Sequence, residues 1–326
     1  MRRTTPLFAL LPALAALLAP PPARAQGYRD GGPPKHRIVY KDLTLVRVNP
    51  LGLITDARLS YRYRLYEHPS VALRDNFVSV GLAPTLSAAF ARIGPIVEVQ
   101  PASFLTLWAQ YELIGYFGSF NLLQSFPTVD RAKVNYSDTS LRALSKGDAA
   151  TKNYATTGTQ LLVGANVQLK AGPIVFRDQV RAGRPDMKLR AGDRAFYDIY
   201  YDLLVGDAGW WAHNDADLLV QALDSRLTVG VRWSTSKAFA ASEHFAPGDD
   251  ATNGGAALHR AGPLAAWTFR KPDGAAFEPT VLFLANWWLK SPYRTGQDVS
   301  QAVPYVIVAL NVSGDLLPSH ARPRER

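Results

Sequence analysis

The stretch DARLSYRYRLYEH, residues 56–68, alternates from Asp56 to Leu65. Ala57, Leu59, Tyr61, Tyr63 and Leu65 take one parity, and Asp56, Arg58, Ser60, Arg62 and Arg64 take the other. Successive side chains of a β-strand point to opposite faces, so one face is apolar and the other carries three arginines. A water-soluble sheet turns the apolar face inward. A membrane barrel turns it to lipid and fills its lumen with the polar residues.

The compartment follows from the start of the chain. MRR is followed by TTPLFALLPALAALLAPPP and by Ala23-Arg24-Ala25 before Gln26. A basic start, a short apolar core and an A-x-A ending read as a secretory signal peptide, residues 1–25, cleaved after Ala25. Loss of Arg2, Arg3 and Arg24 lowers the formal charge of +9 by three. The chain has no cysteine, which excludes a disulfide framework. No later run of 18 apolar residues offers a transmembrane helix. Val, Leu, Thr, Tyr, Phe and Trp dominate between Gly, Pro and Asp clusters, with no fixed-period repeat, so propellers and solenoids are excluded and an all-β chain is expected.

The two-residue period recurs. Val78, Val80, Leu82, Leu86, Ala88 and Phe90 alternate with Ser79, Gly81, Thr85 and Ser87. Leu161, Val163, Ala165, Val167 and Leu169 alternate with Gln160, Asn166, Gln168 and Lys170. Leu227, Val229, Val231 and Trp233 alternate with Arg226, Thr228, Arg232 and Ser234. Each segment reaches the roughly 9–11 residues of a tilted membrane strand. Segments 97–113, 257–269 and 277–290 alternate less cleanly, and 303–312 is apolar on both parities. Ten strands are predicted, near 53–66, 77–91, 95–117, 155–170, 173–184, 210–223, 226–237, 257–270, 275–290 and 302–313. Turn-like connections around Arg92–Pro95, Lys170–Pro173, Asp224–Ser225 and Lys271–Gly274 alternate with longer ones at 67–76, 119–153, 185–209, 238–256 and 291–301.

On these features residues 45–313 resemble bacterial outer-membrane β-barrel proteins. The resemblance implies an exported transmembrane up-and-down antiparallel β-barrel of ten strands, sitting in outer-membrane lipid, with tight turns on the periplasmic side and long loops outside. Residues 26–44 are then a flexible lead-in and 314–326 a tail, although 38–48 as an added strand would make the barrel twelve-stranded. The resemblance is incomplete at the end, where LLPSHARPRER follows the last strand, and at Asp178, which falls on the lipid parity. Aromatic girdles are expected from Tyr63, Tyr66, Tyr111, Tyr116, Phe117, Trp233 and Trp287 toward the long loops, and from Phe90, Trp267, Phe269 and Phe277 near the short turns.

The inward parity places Arg58, Arg62, Arg64, Glu98, Glu112, Lys170, Arg177, Arg181, His213, Asp215, Asp217, Arg226 and Arg232 in the lumen. Open channels belong to wider barrels of about 16–18 strands, so a large diffusion porin is not expected. A narrow pore for small anionic solutes is, because rings of Arg or Lys favour anions. The alternatives are a plugged structural or surface-recognition barrel using its outer loops, and a membrane-embedded hydrolase. The hydrolase would rest on His213, Asp215 and Asp217, which share one face of WWAHNDADLLVQAL, residues 210–223. Outer-membrane proteases of the omptin type use paired Asp residues and a His–Asp pair, but no second acidic pair matches here, so no catalytic residue is assigned. No cofactor or metal is assigned either, and nucleic acid is excluded because the arginines form no patch with aromatic stacking. The acidic loop around Glu243, Asp249 and Asp250 reads as solvated. A two-residue turn at Asp224–Ser225 would set Asp217 opposite Arg232, with Arg177 and Arg181 on the other side of the same carboxylates.

Overall fold

The computed structural model describes residues 33–120, 123–148, 150–269, 279–291 and 303–317. In it the 56–68 stretch enters β2 (Gly52–Tyr63), whose neighbour on one side is β1 (His36–Val48). The chain then runs through β3 (Phe77–Leu82), β4 (Thr85–Ser87), β5 (Phe90–Ile93), β6 (Pro95–Ala102) and β7 (Leu105–Phe117). β9 (Ala155–Ala171), β10 (Ile174–Met187), β13 (Trp210–Ala222) and β14 (Leu227–Phe239) follow, then β15 (Leu258–Thr268), β16 (Thr280–Lys290) and β17 (Tyr305–Asp315). Every pairing is antiparallel between neighbours, and Asp42 of β1 faces both Ala57 of β2 and Val312 of β17, which closes the sheet. Three short strands, β8 (Ser125–Phe126), β11 (Ala195–Asp198) and β12 (Leu203–Gly206), form a separate small sheet.

β3 and β4 are halves of one stave, since both pair with β2 in one register, Leu59 opposite Leu82 and Ile54 opposite Ser87. β5 and β6 likewise share a register against β7. The barrel therefore has twelve staves, not ten. One extra stave is β1, which takes up the second half of the expected lead-in, from His36 onward. Its outward face carries Asp42, satisfied by the Thr44 hydroxyl at 3.0 Å, and this weakens its apolar alternation. The other comes from a reversal at 103–104, inside the expected strand 95–117. That turn has no Gly or Pro; it is held by Ser103, whose hydroxyl accepts from the Asp75 N–H and donates to the Val71 carbonyl. The Gly94-Pro95 pair, which reads as a turn, lies within a stave. A Cβ on Gly94 would stand 1.8 Å from the Tyr111 carbonyl oxygen, so this glycine serves close strand approach.

Sidedness is inverted relative to a soluble protein. Asp217 is 1% exposed while Val231, on the adjacent stave, is 55% exposed. Leu59, Tyr61, Val80, Leu113 and Trp233 face outward and exposed, whereas Ser60, Glu98, Gln110 and Gln160 are buried inside. Arg58, Arg62 and Arg64 thus belong to the lumen side, and the tyrosines between them to the lipid side. Asp178 does face outward, where it accepts from the Asn214 side chain at 2.6 Å.

The two added staves re-sort the connections. Both ends of the barrel sheet lie at one rim, the terminal end, together with connections 64–76, 103–104, 172–173, 223–226 and 269–279. The opposite loop end carries 118–154, 188–209, 240–257 and 291–304, and also two short connections, 49–51 and 88–89. The 67–76 connection is therefore not at the loop end with the other long connections; Asn76 closes it by accepting from the Leu65 and Tyr66 N–H groups. Tyr63 and Tyr66 move to the terminal end with it. Phe90 and Tyr116 leave the girdles altogether, being 1% and 2% exposed on the inner face. The signal peptide, the Lys271–Gly274 turn, Phe277 and the tail beyond Leu317 lie outside the described residues.

The chain reverses about Asp224–Ser225 in the expected register, but the turn is longer than two residues. Leu223, Asp224 and Ser225 all have positive φ, 51°, 54° and 63°, the turn spans 223–226, and the Arg226 N–H donates to the Leu223 carbonyl. This fixes the register that sets Asp217 opposite Arg232.

Candidate functional site

The apolar core lies inside the barrel at the loop end, between the inner wall and the inserted connection 188–209. Phe196, Tyr197, Ile199, Leu203 and Val205 of that connection pack with Phe90, Tyr116, Leu162 and Trp211 of the staves. A Cβ on Gly183 would come within 2.4 Å of the Trp211 ring, so the glycine makes room for the indole against the wall. The Trp211 ring in turn meets Tyr201 at a centroid distance of 3.9 Å. The connection is a plug.

Polar clamps hold it. Arg92 of β5 donates to both carboxylate oxygens of Asp198, at 3.1 and 3.2 Å, and to the Tyr116 hydroxyl at 3.0 Å; Arg92 and Asp198 side chains are each 2% exposed. Arg47 of β1 donates to the carbonyls of Ile199 and Tyr200 at 2.7 and 3.0 Å. The Tyr200 hydroxyl donates to Asp56 of β2 at 2.5 Å. From sequence Asp56, Arg92 and Tyr116 read as polar-face, turn and girdle residues, and none of the clamp residues is assigned to holding a plug. The signal available was composition: AFYDIYYDLLVG, residues 195–206, is too apolar and aromatic for a solvated outer loop.

Toward the terminal end from the plug the lumen holds a cavity of about 440 Å³. Its lining includes six cations, Lys41, Arg47, Arg177, Arg181, Arg232 and Arg260, against two carboxylates, Asp56 and Asp215. Asp217 sits behind its wall, its carboxylate held from both sides. Arg232 donates from Nε at 2.7 Å and Nη2 at 2.9 Å, and Arg177 donates from Nε at 2.7 Å. Arg177 and Arg232 are the cross-strand partners of Asp217 on β10 and β14. Asp215 lies 3.5 Å from Arg232 and 4.0 Å from Arg181, and accepts from the Ser234 hydroxyl at 2.5 Å.

The other sequence-derived lumen residues sort into separate places. Glu98 is buried between Arg58 at 2.5 Å and Arg62 at 3.8 Å, and accepts from the Ser79 hydroxyl. Glu112 is buried and accepts from Gln110 at 2.9 Å. Arg64 pairs with Glu67 beyond the end of β2, and Lys170 donates to Gln221 at 2.6 Å near the terminal end. Arg226 is not in the lumen: it sits in the turn and is exposed, because the chain reverses there before the inward parity resumes.

His213 bonds through Nδ1 to the Ser236 hydroxyl at 2.7 Å and lies 3.2 Å through Nε2 from Asp215. These are the groups of an acyl-transfer relay, which also needs a serine facing the substrate space and N–H donors for an oxyanion. Ser236 does not line the cavity, and its backbone is laddered to His213 on one side and Leu258 on the other. The Asp215 charge is already matched by two arginines. The arrangement is a hydrogen-bonded strut between β13 and β14. Among the described residues no group of three or more His, Asp or Glu side chains is placed to hold a metal ion.

Above the plug, Asp249 does not stand free in its acidic loop. It accepts from the Lys133 ammonium and the Thr128 hydroxyl, tying 240–257 to 118–154. These two bonds hold its carboxyl down at about 2, and the same contact raises Lys133. A lowered carboxylate value means the clasp contributes fully above the ordinary carboxylate range and is lost only as pH falls toward 2. Trypsin cleavage at Lys133 should therefore be equally slow at pH 5 and pH 8 relative to a denatured control, and should quicken at both in Asp249→Asn.

The closed antiparallel barrel, its outward apolar belt and its buried inner charges are those of a bacterial outer-membrane β-barrel protein. No protein-family model matches the chain, and no curated protein is similar to it. Solved structures of similar fold include the β domain of the Bordetella autotransporter Brka, at 9% identity and a TM-score of 0.43, covering 88% of this chain and 99% of that one. The translocator domain of autotransporter NalP from Neisseria meningitidis has 9% identity and a TM-score of 0.38, covering 94% and 93%. The NanC porin has 8% identity and a TM-score of 0.36, covering 84% and 98%. At these scores the likeness is of barrel to barrel alone.

Proposed function

We propose that this barrel is a narrow, loop-gated pore for small anionic solutes, with the long-loop end facing out of the cell. The excess of cations over carboxylates on the cavity wall carries the reading. Cationic rings in a confined, low-dielectric passage concentrate anions and repel cations. The Asp215–Asp217 pair is consumed by the arginines beside it, so it offers no competing cation site. The plug makes the passage gated: solute reaching the cavity from the terminal end meets Tyr200 and Tyr201 as its ceiling.

A second reading is favoured by one observation, the buried clamp between Arg92 and Asp198. It fits a permanently plugged barrel that presents its outer loops for recognition. Planar-bilayer recording across a potassium chloride gradient separates the two. The pore reading expects brief openings whose reversal potential is anion-biased, with the bias reduced in Arg181→Gln. Silence in the wild type and also after release of the plug would overturn it in favour of the sealed barrel.

A further inference from the structure

The staves whose sequence alternates poorly, β15 to β17, are the ones that turn aliphatic side chains into the lumen. Leu264, Leu282, Leu284 and Ile307 line the cavity from these staves, and Leu45 continues the surface onto β1. Val175 of β10 and Leu219 of β13 pack with Leu264 and Leu284, so the apolar surface reaches across the lumen. The cations are set among it, with Lys41 and Arg47 on β1, Arg177 and Arg181 on β10, Arg232 on β14 and Arg260 on β15. The cavity wall is mixed, aliphatic and cationic. An inorganic ion gains nothing from an aliphatic wall, and water against such a wall costs roughly 25 cal/mol per Å² of apolar surface.

Two cations on the lining are unspoken for. Arg260 stacks on Tyr305 at 3.9 Å from the ring centroid and on Trp288 at 5.3 Å, and its Nε has no hydrogen-bond partner among the described residues. Lys41 has no carboxylate within ion-pairing distance among the described residues, and its cross-strand neighbour is Arg58. Lys41 and Arg260 lie on β1 and β15, staves that also bring Leu45 and Leu264 to the apolar wall. A charged head placed at either residue leaves its own hydrocarbon part against that wall.

We propose that the chamber is a binding site for an amphipathic anion, a carboxylate, sulfonate or phosphate ester with an aliphatic or aromatic body. This rests on the reading of the lumen as an anion path and names the class of solute. The head meets Lys41 or Arg260, and the body covers Leu282, Leu284 and Ile307. The volume admits one such molecule of modest size and excludes a polymer.

Equilibrium dialysis of radiolabelled octanoate against the full chain in lipid nanodiscs, with empty nanodiscs subtracted, tests this. Octanoate should bind roughly a hundredfold tighter than acetate, since most of its methylenes leave water, and should also outcompete uncharged 1-octanol. Lys41→Met with Arg260→Met should weaken octanoate about tenfold, and Leu284→Gln should weaken octanoate while leaving acetate unchanged, each variant keeping the heat-modifiable mobility of a folded barrel. Octanoate binding no tighter than acetate, or unchanged in these folded variants, overturns the proposal. If that happens while anion-biased current persists, only the solute class falls. Binding by a barrel that stays silent in bilayers keeps the chamber and removes the pore.

Discussion

Arg92→Ala unseats the plug and raises conductance. The substitution leaves the Asp198 carboxylate buried with only the Tyr200 N–H at 2.8 Å and the distant Tyr116 hydroxyl at 3.4 Å as donors. Removing one member of a buried ion pair costs about 3–5 kcal/mol, because the surviving charge keeps its desolvation penalty. That penalty applies only while the plug is seated; outside the barrel Asp198 is hydrated. The seated state therefore loses roughly a hundredfold or more in population against the released one. Single-channel recording should show long open times where the wild type shows brief ones. Asp198→Asn should act in the same direction, and replacing both residues with leucine should seat the plug better than either single change. A folded Arg92→Ala barrel with wild-type conductance would mean that the plug is held without this clamp.

Asp217→Ala destabilises the barrel itself. It removes the fully buried carboxylate between Arg177 and Arg232, whose side chains are 29% and 14% exposed on either side of β13. A loss of about 1.5–3 kcal/mol, the worth of hydrogen bonds to a charged group, is expected from urea unfolding in lipid vesicles. Arg232→Ala should cost at least as much, because the carboxylate it leaves behind is fully buried and keeps only Arg177 beside it. The pair Asp217→Leu with Arg232→Leu should cost clearly less than the sum of the singles, because contacting charges are coupled. Additive losses would refute the pairing.

That cluster was legible in the sequence because every step toward it was local. A tight reversal centred on Asp224 and Ser225 fixes a hairpin register, and register carries residue 217 to residue 232 with no further information. The sidedness of Arg58 and Arg62 was equally readable, since a period of two assigns faces directly. The stave count was not, because Ser103 turns the chain with a side-chain hydroxyl, and the nearest breaker, Pro101, sits inside β6 ahead of the turn. Gly94-Pro95 misled for the converse reason: its glycine answers to Tyr111 on the next stave, a contact the local sequence does not contain. The plug was hidden more deeply. Asp198 finds Arg92 across 106 residues, and nothing near either one announces the other. The poor alternation of 303–312 looked like noise against a barrel pattern, yet it records a lumen wall that is itself apolar.

The plug's attachments also bear on the mechanics of the ring. A closed cylinder of strands resists stretching along its hydrogen bonds but yields readily to ovalisation, since bending the wall breaks none of them. The seated connection is anchored on β1 through Arg47, on β2 through Asp56, on β5 through Arg92 and on β13 through Trp211. These anchors spread around more than half of the circumference, so the connection works as a set of spokes. A barrel with its plug in place is braced against lateral pressure from the bilayer, and the same barrel with its plug released is softer.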